Sequence, residues 1–80
     1  MTREEVYDRV AQILTEYLRL SPGEISAQSH VSQDLGADSL ALVELGFKMM
    51  EAFGIGMIAP EDSLLTIGPL VDHIHAQMKE

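Results

Sequence analysis

The chain has 80 residues, 46% of them hydrophobic and 22% charged, with 13 Asp plus Glu against 5 Lys plus Arg and a formal net charge of −8. This length predicts one domain over residues 1–80, near the size at which burial only just offsets chain entropy, and few enzymes are so compact. The acidity argues against a nucleic-acid partner, whose phosphates draw on Lys and Arg, and the lack of cysteine excludes disulfides and thiolate metal sites, so any reactive thiol has to come from a cofactor.

Thr2-x-x-Glu5 reads as a capping box, in which the threonine oxygen and the glutamate satisfy opposite orphan donors. Val6, Val10, Ile13, Leu14, Tyr17 and Leu18 then recur at helical spacing, predicting a first amphipathic helix to about Leu20. No signal-peptide run precedes it and no apolar stretch is long enough to span a membrane, so a cytoplasmic protein is expected. Ser21-Pro22-Gly23 ends the helix, since Pro22 lacks an N–H and Gly23 is a cheap turn residue. Glu24 to Ala37 is mostly polar, with Ile25, Val31 and Leu35 as isolated anchors, and predicts a long ordered loop of the kind that carries function.

A second helix is predicted from about Ser39 to Phe53, with Asp38 as N-cap and Gly54-Ile55-Gly56 as its stop. Glu44, Lys48 and Glu51 share one polar sector of it with Ala41 and Ala52. Its apolar residues, from Leu40 to Phe53, cover far more than one stripe. A helix so widely apolar is either central to the core or reserves part of its arc for partners. Gly46, inside that arc, costs about 1 kcal/mol relative to alanine and implies close packing or room for a ligand. Pro60-Glu61-Asp62 predicts a short third helix through about Leu65. Thr66 can cap a final helix in which Pro69 fits only inside the first turn, and Leu70, Val71, Ile74 and Met78 form its apolar face. The expected fold is all-α: a small four-helix bundle of three longer helices and one short third helix, with a long loop between helices one and two.

The most informative segment is Asp34-Leu35-Gly36-Ala37-Asp38-Ser39-Leu40, which places a hydroxyl where a glycine-containing loop feeds an apolar helix. The N-terminal end of a helix offers unpaired N–H groups and partial positive charge, favourable to a phosphate. Taken alone, Asp38-Ser39 is more often an ordinary helix start. Asp-Ser-Leu is also similar to the serine of the Gly-Asp-Ser-Leu esterases, but Ala37 interrupts that motif, and nothing in the sequence brings His30, His73 or His75 to Ser39 as a base. His73 and His75 are two residues apart and face different sides of a helix, and a calcium loop starting at Asp34 would end on Leu45 instead of glutamate. No metal site is expected.

The segment through Leu45, together with the length, the acidity and the closing Thr66-Ile67-Gly68-Pro69-Leu70-Val71-Asp72-His73-Ile74, resembles the acyl carrier proteins over nearly the whole chain. The resemblance implies a non-enzymatic carrier whose Ser39 bears a covalent 4′-phosphopantetheine arm, taken from coenzyme A, with acyl intermediates held as thioesters in fatty-acid or related lipid or polyketide biosynthesis. It implies a phosphopantetheinyl transferase and acyl-transferring and acyl-modifying enzymes as partners of a monomer. It also assigns Leu45, Met49 and Phe53 to the core, and Asp38, Leu40, Val43, Glu44, Phe47, Met50 and Glu51 to a partner-binding face. Ala41 and Met50 stand where familiar fatty-acid carriers are usually acidic, and Lys48 adds a positive charge, so this face is thinner in negative charge. The alternative from a different class is an unmodified helical interaction module with the same fold.

Overall fold

Thr2 starts the first helix as its sequence predicts: the Glu5 N–H donates to Thr2 Oγ1 at 3.2 Å and the Thr2 N–H donates to Glu5 Oε1 at 2.8 Å. In the computed structural model, which describes residues 2–56, 58 and 64–78, three α-helices follow: α1 (Arg3–Leu18), α2 (Ser39–Phe53) and α3 (Ile67–Gln77). A 3-10 turn at Pro22–Glu24 lies between α1 and α2. The all-α expectation holds, but the four-helix bundle is corrected to three α-helices among the described residues. The start expected for the short extra helix, Pro60-Glu61-Asp62, lies outside the described residues. At its expected end Leu64 is in a 3-10 turn and not an α-helix, and Leu65 turns its carbonyl to the Val31 N–H of the long loop at 2.7 Å.

The first helix stops earlier than its apolar pattern suggests. Arg19 takes a left-handed conformation, φ 57° and ψ 50°, and its N–H closes on the Thr15 carbonyl. It is the only described non-glycine residue with positive φ. Such a conformation costs an L-residue roughly 1–2 kcal/mol and is normally filled by glycine. Arg19→Gly should therefore raise stability by about 1 kcal/mol, read as a higher urea midpoint at unchanged m-value.

Beyond α1 the loop is ordered by its own polar groups, anchored by buried Ile25 and Val31 and half-buried Leu35. His30 organises the turn over 31–35: its Nδ1 accepts from the N–H groups of Ser32 (3.2 Å) and Gln33 (3.0 Å), while its own backbone N–H donates to Asp34 Oδ2 at 2.7 Å. Residues 27–31 are laced to the entry of α3. A single antiparallel bridge joins His30 and Thr66, flanked by donation from Ile67 N–H to Ser29 O (3.0 Å) and from Gly68 N–H to Ala27 O (2.8 Å).

This lacing corrects the expected role of Thr66. It is the N-cap residue of α3, but its side chain makes no capping bond, because loop carbonyls already take the helix's first free N–H groups. Pro69 falls in the first turn as predicted, where its missing N–H costs nothing. Gly68 is buried, and a Cβ on it would meet the Ala27 carbonyl oxygen at 3.1 Å. The close approach of loop to helix thus depends on glycine at this position.

The core is built from Val6, Val10 and Leu14 of α1, Leu45, Met49 and Phe53 of α2, and Ile67, Leu70, Val71 and Ile74 of α3. α1 packs against both other helices. On the surface an Arg3–Asp72 ion pair ties the start of α1 to α3. Its hydrogen bond raises the Arg3 guanidinium pKa and holds the Asp72 carboxyl below its usual range.

Candidate functional site

The entry to α2 is set by the loop that precedes it. Gly36 adopts φ 81°, a left-handed turn suited to glycine. Ala37 then inserts into the core, its N–H donating to the Val31 carbonyl at 3.1 Å. Asp38, extended at φ −87° and ψ −177°, caps the helix by accepting the Ala41 N–H at 2.8 Å. The expected boundaries of α2, Ser39 to Phe53, are those observed, and Gly54 closes it in the left-handed conformation.

Ser39 is the first residue of this helix and is exposed. Its hydroxyl has no hydrogen-bond partner among the described residues. The cap uses the Ala41 N–H, so the N–H groups of Ser39 and Leu40 remain at the positive end of the helix, where a phosphate ester on the adjacent hydroxyl is favoured. An unengaged, solvent-facing hydroxyl beside free N–H groups fits a phosphodiester tether. It does not fit a hydrolase. His30 spends Nδ1 on two backbone amides, and His73 Nε2 lies 2.6 Å from Gln77 Nε2 on α3.

The wide apolar arc of α2 divides as the resemblance implies. Leu45, Met49 and Phe53 are buried, whereas Leu40, Val43 and Phe47 stand 68%, 41% and 46% exposed. These three recur at i, i+3 and i+7, making one stripe that begins beside Ser39. Met50 is half-buried at its edge, and Asp38, Glu44 and Glu51 are exposed.

Glu44 is not a free charge. Tyr17, reaching from α1, donates its hydroxyl to Glu44 Oε1, and the Lys48 ammonium lies 5.4 Å from the centroid of the Tyr17 ring. The bond to the Glu44 carboxylate raises the Tyr17 hydroxyl's pKa, since phenolate beside carboxylate is unfavourable. Sequence reading placed Tyr17 in the apolar pattern of α1 and missed this role. The available signal was weak: one tyrosine among aliphatic residues.

Behind the stripe is a small apolar cavity of ≈ 40 Å³, lined by Leu14, Leu42, Gly46, Met49, Ile58 and Leu70, among others. A Cβ on Gly46 would make only ordinary contact, 3.5 Å from the Ile58 carbonyl oxygen, so tight backbone packing does not require glycine there. Leu42 and Gly46 lie three and seven residues beyond Ser39, on the same side of the helix. Part of the cavity's lining therefore lies on the side of α2 that starts at the hydroxyl.

Comparison with known proteins agrees with this geometry. Residues 8–74 match the family model described as "Phosphopantetheine attachment site". The chain is 38% identical over 80 residues to the acyl carrier protein of Prochlorococcus marinus (strain MIT 9515), covering 96% of this chain and 98% of that protein. It is 32% identical over 79 residues to the acyl carrier protein of Amoebophilus asiaticus (strain 5a2), covering 95% and 96% respectively.

Proposed function

Since this chain belongs to the acyl carrier protein family, a family of carriers and not enzymes with a covalent 4′-phosphopantetheine, we propose that Ser39 is its attachment residue. The supporting observation is the position of Ser39: exposed, first in α2, directly after a cap that leaves its hydroxyl unengaged. When attached, the arm supplies a terminal thiol that carries acyl groups as thioesters. Ser39 Oγ attacks the β-phosphorus of coenzyme A, a new P–O bond forms, and adenosine bisphosphate leaves. The hydroxyl proton passes to a base of the phosphopantetheinyl transferase, because no described side chain lies at Ser39 to accept it. Intact mass after incubation with coenzyme A, Mg²⁺ and a broad-specificity transferase, with the modified peptide mapped, tests the assignment. One added arm on Ser39 supports it, and an unmodified chain returns the interaction-module reading.

Fatty-acid biosynthesis in the cytoplasm, by a monomer, is the setting we assign. Among the described residues no helix is long and apolar enough to cross a membrane. The partner face is Asp38, Leu40, Val43, Glu44, Phe47, Met50 and Glu51, presented to acyl-transferring and acyl-modifying enzymes. Within α2, Glu44 and Glu51 stand against Lys48, leaving the helix only one net negative charge, and Tyr17 already engages Glu44. Docking should therefore rely on apolar anchors more than on charge. Against a cognate enzyme, Phe47→Ala should weaken binding by about tenfold, or about 1.4 kcal/mol, and Glu44→Gln by much less, with modest salt dependence. A silent Phe47→Ala combined with steep salt dependence would reverse this reading. The cavity behind Leu42 and Gly46 is suited to shelter the first carbons of a bound chain, its volume being too small for a long one without displacement of Leu42 or Met49.

A further inference from the structure

Tyr17 is the point at which α1 reaches the edge of the exposed stripe on α2. Its ring is half-buried and packs against the core, so its place is set by packing and not by its polar end. From there the hydroxyl donates to Glu44 Oε1, and the face of the ring carries the Lys48 ammonium 5.4 Å from its centroid. The bond to Glu44, with the field of the Asp38 carboxylate added, keeps the phenol protonated and hence a donor.

Glu44 and Lys48 are spaced i, i+4 with the acid N-terminal, the arrangement that normally pairs along a helix. Among the described residues no ion pair joins them, and each instead meets Tyr17. Glu44 lies four residues after Leu40 and three before Phe47, so it borders the exposed stripe directly. A carboxylate there is a natural handle for a partner's lysine or arginine. A cation approaching it has to displace a charge-assisted hydrogen bond and come up beside the Lys48 ammonium. The first is comparable in strength with an exposed ion pair and the second is repulsive, so little attraction remains.

We propose that Tyr17 is a specificity-determining residue of the docking face: holding Glu44 from α1, it withholds that carboxylate from partners and disfavours any enzyme that presents Lys or Arg to it. The partner selected is an enzyme surface that is apolar over Leu40, Val43 and Phe47 and uncharged opposite Glu44. The selection rests on the proposed partner face of a carrier, to which it adds a determinant on a different helix.

The test is a ¹H–¹⁵N titration of the native chain and of Tyr17→Phe with the blocked peptide acetyl-Leu-Arg-Leu-amide and its Gln counterpart. Phenylalanine keeps the ring on the core and under Lys48 and removes only the hydroxyl. Read from the Glu44 and Phe47 amides, the Arg peptide should bind Tyr17→Phe about threefold more tightly than the native chain. Salt should suppress the gain, the Gln peptide should not distinguish the two chains, and Tyr17→Phe/Glu44→Gln should lose the gain. Equal binding of the Arg peptide by native chain and Tyr17→Phe, or a gain that survives Glu44→Gln, would overturn the proposal. Should Tyr17→Phe lose its helical circular dichroism, ring-carbon titration of Tyr17 decides instead. The native hydroxyl should then ionise above the ordinary tyrosine range and return to it in Glu44→Gln, and identical titration in both chains overturns the proposal. Transferase-dependent mass gain is measured on the native sample. The Tyr17→Phe gain without modification at Ser39 supports the hold on Glu44 and removes the carrier reading, and modification without that gain does the opposite.

Discussion

Ser39→Ala should gain no mass from coenzyme A and transferase, a complete loss against full conversion of the native chain, while its unfolding free energy stays within about 0.5 kcal/mol of native. The asymmetry follows from position. The nucleophilic oxygen is exposed and makes no hydrogen bond to a described residue, whereas the cap of α2 is made by the neighbouring Asp38 to the Ala41 N–H. Alanine is also the best helix former at the vacated position. Modification persisting in Ser39→Ala would place the arm elsewhere. Unfolding would mean that the hydroxyl holds the loop together, contrary to the bonding observed.

The largest stability effect is expected at Gly68. Gly68→Val forces a branched side chain against the Ala27 carbonyl oxygen, which a bare Cβ would already meet at 3.1 Å. It also threatens the bond from Gly68 N–H to that same oxygen. Overpacking of this kind costs about 1–3 kcal/mol. A loss of about 2 kcal/mol lowers Tm by roughly 8–16 °C in a domain of this size. Gly46→Ala is the control, because its Cβ would meet the Ile58 carbonyl oxygen at an ordinary 3.5 Å. There the gain in helix propensity should leave stability unchanged or raised by up to about 1 kcal/mol. Thermal melts of both variants distinguish close approach at Gly68 from mere glycine content: equal responses would show that the loop–α3 contact contributes little.

The loop contact also bears on the site. Residues 27–31, held against α3, lead through the His30 turn and Gly36 directly to Asp38 and Ser39. Loosening them at Gly68 therefore reaches the proposed modification site without touching it. Reduced modification rate in folded Gly68→Val, with Gly46→Ala unaffected, is the accompanying expectation.

What the sequence by itself determined is local. The capping box at Thr2 and Glu5, the Asp38 cap, the Gly54 stop and the limits of α2 depend on residues within a few positions of one another, and each is legible because helices bond at fixed short spacing. The serine motif is legible for the same reason, and so is the split of α2 into buried Leu45, Met49 and Phe53 and exposed Leu40, Val43 and Phe47, once the family pattern is laid over the helix. Tertiary structure alone decided which partners meet across long separations. Tyr17 finds Glu44 27 residues away and Arg3 finds Asp72 69 residues away, and neither pair leaves a periodic trace. The same reason explains Thr66: its type and position suggest a side-chain cap, but the loop's carbonyls arrive first and satisfy the donors. The apolar cavity lined by Leu14, Leu42, Gly46 and Leu70 likewise exists only because the helices pack side by side. Periodicity reports which face of a helix is apolar; it carries no information on which other surface will cover that face or lie open beside it.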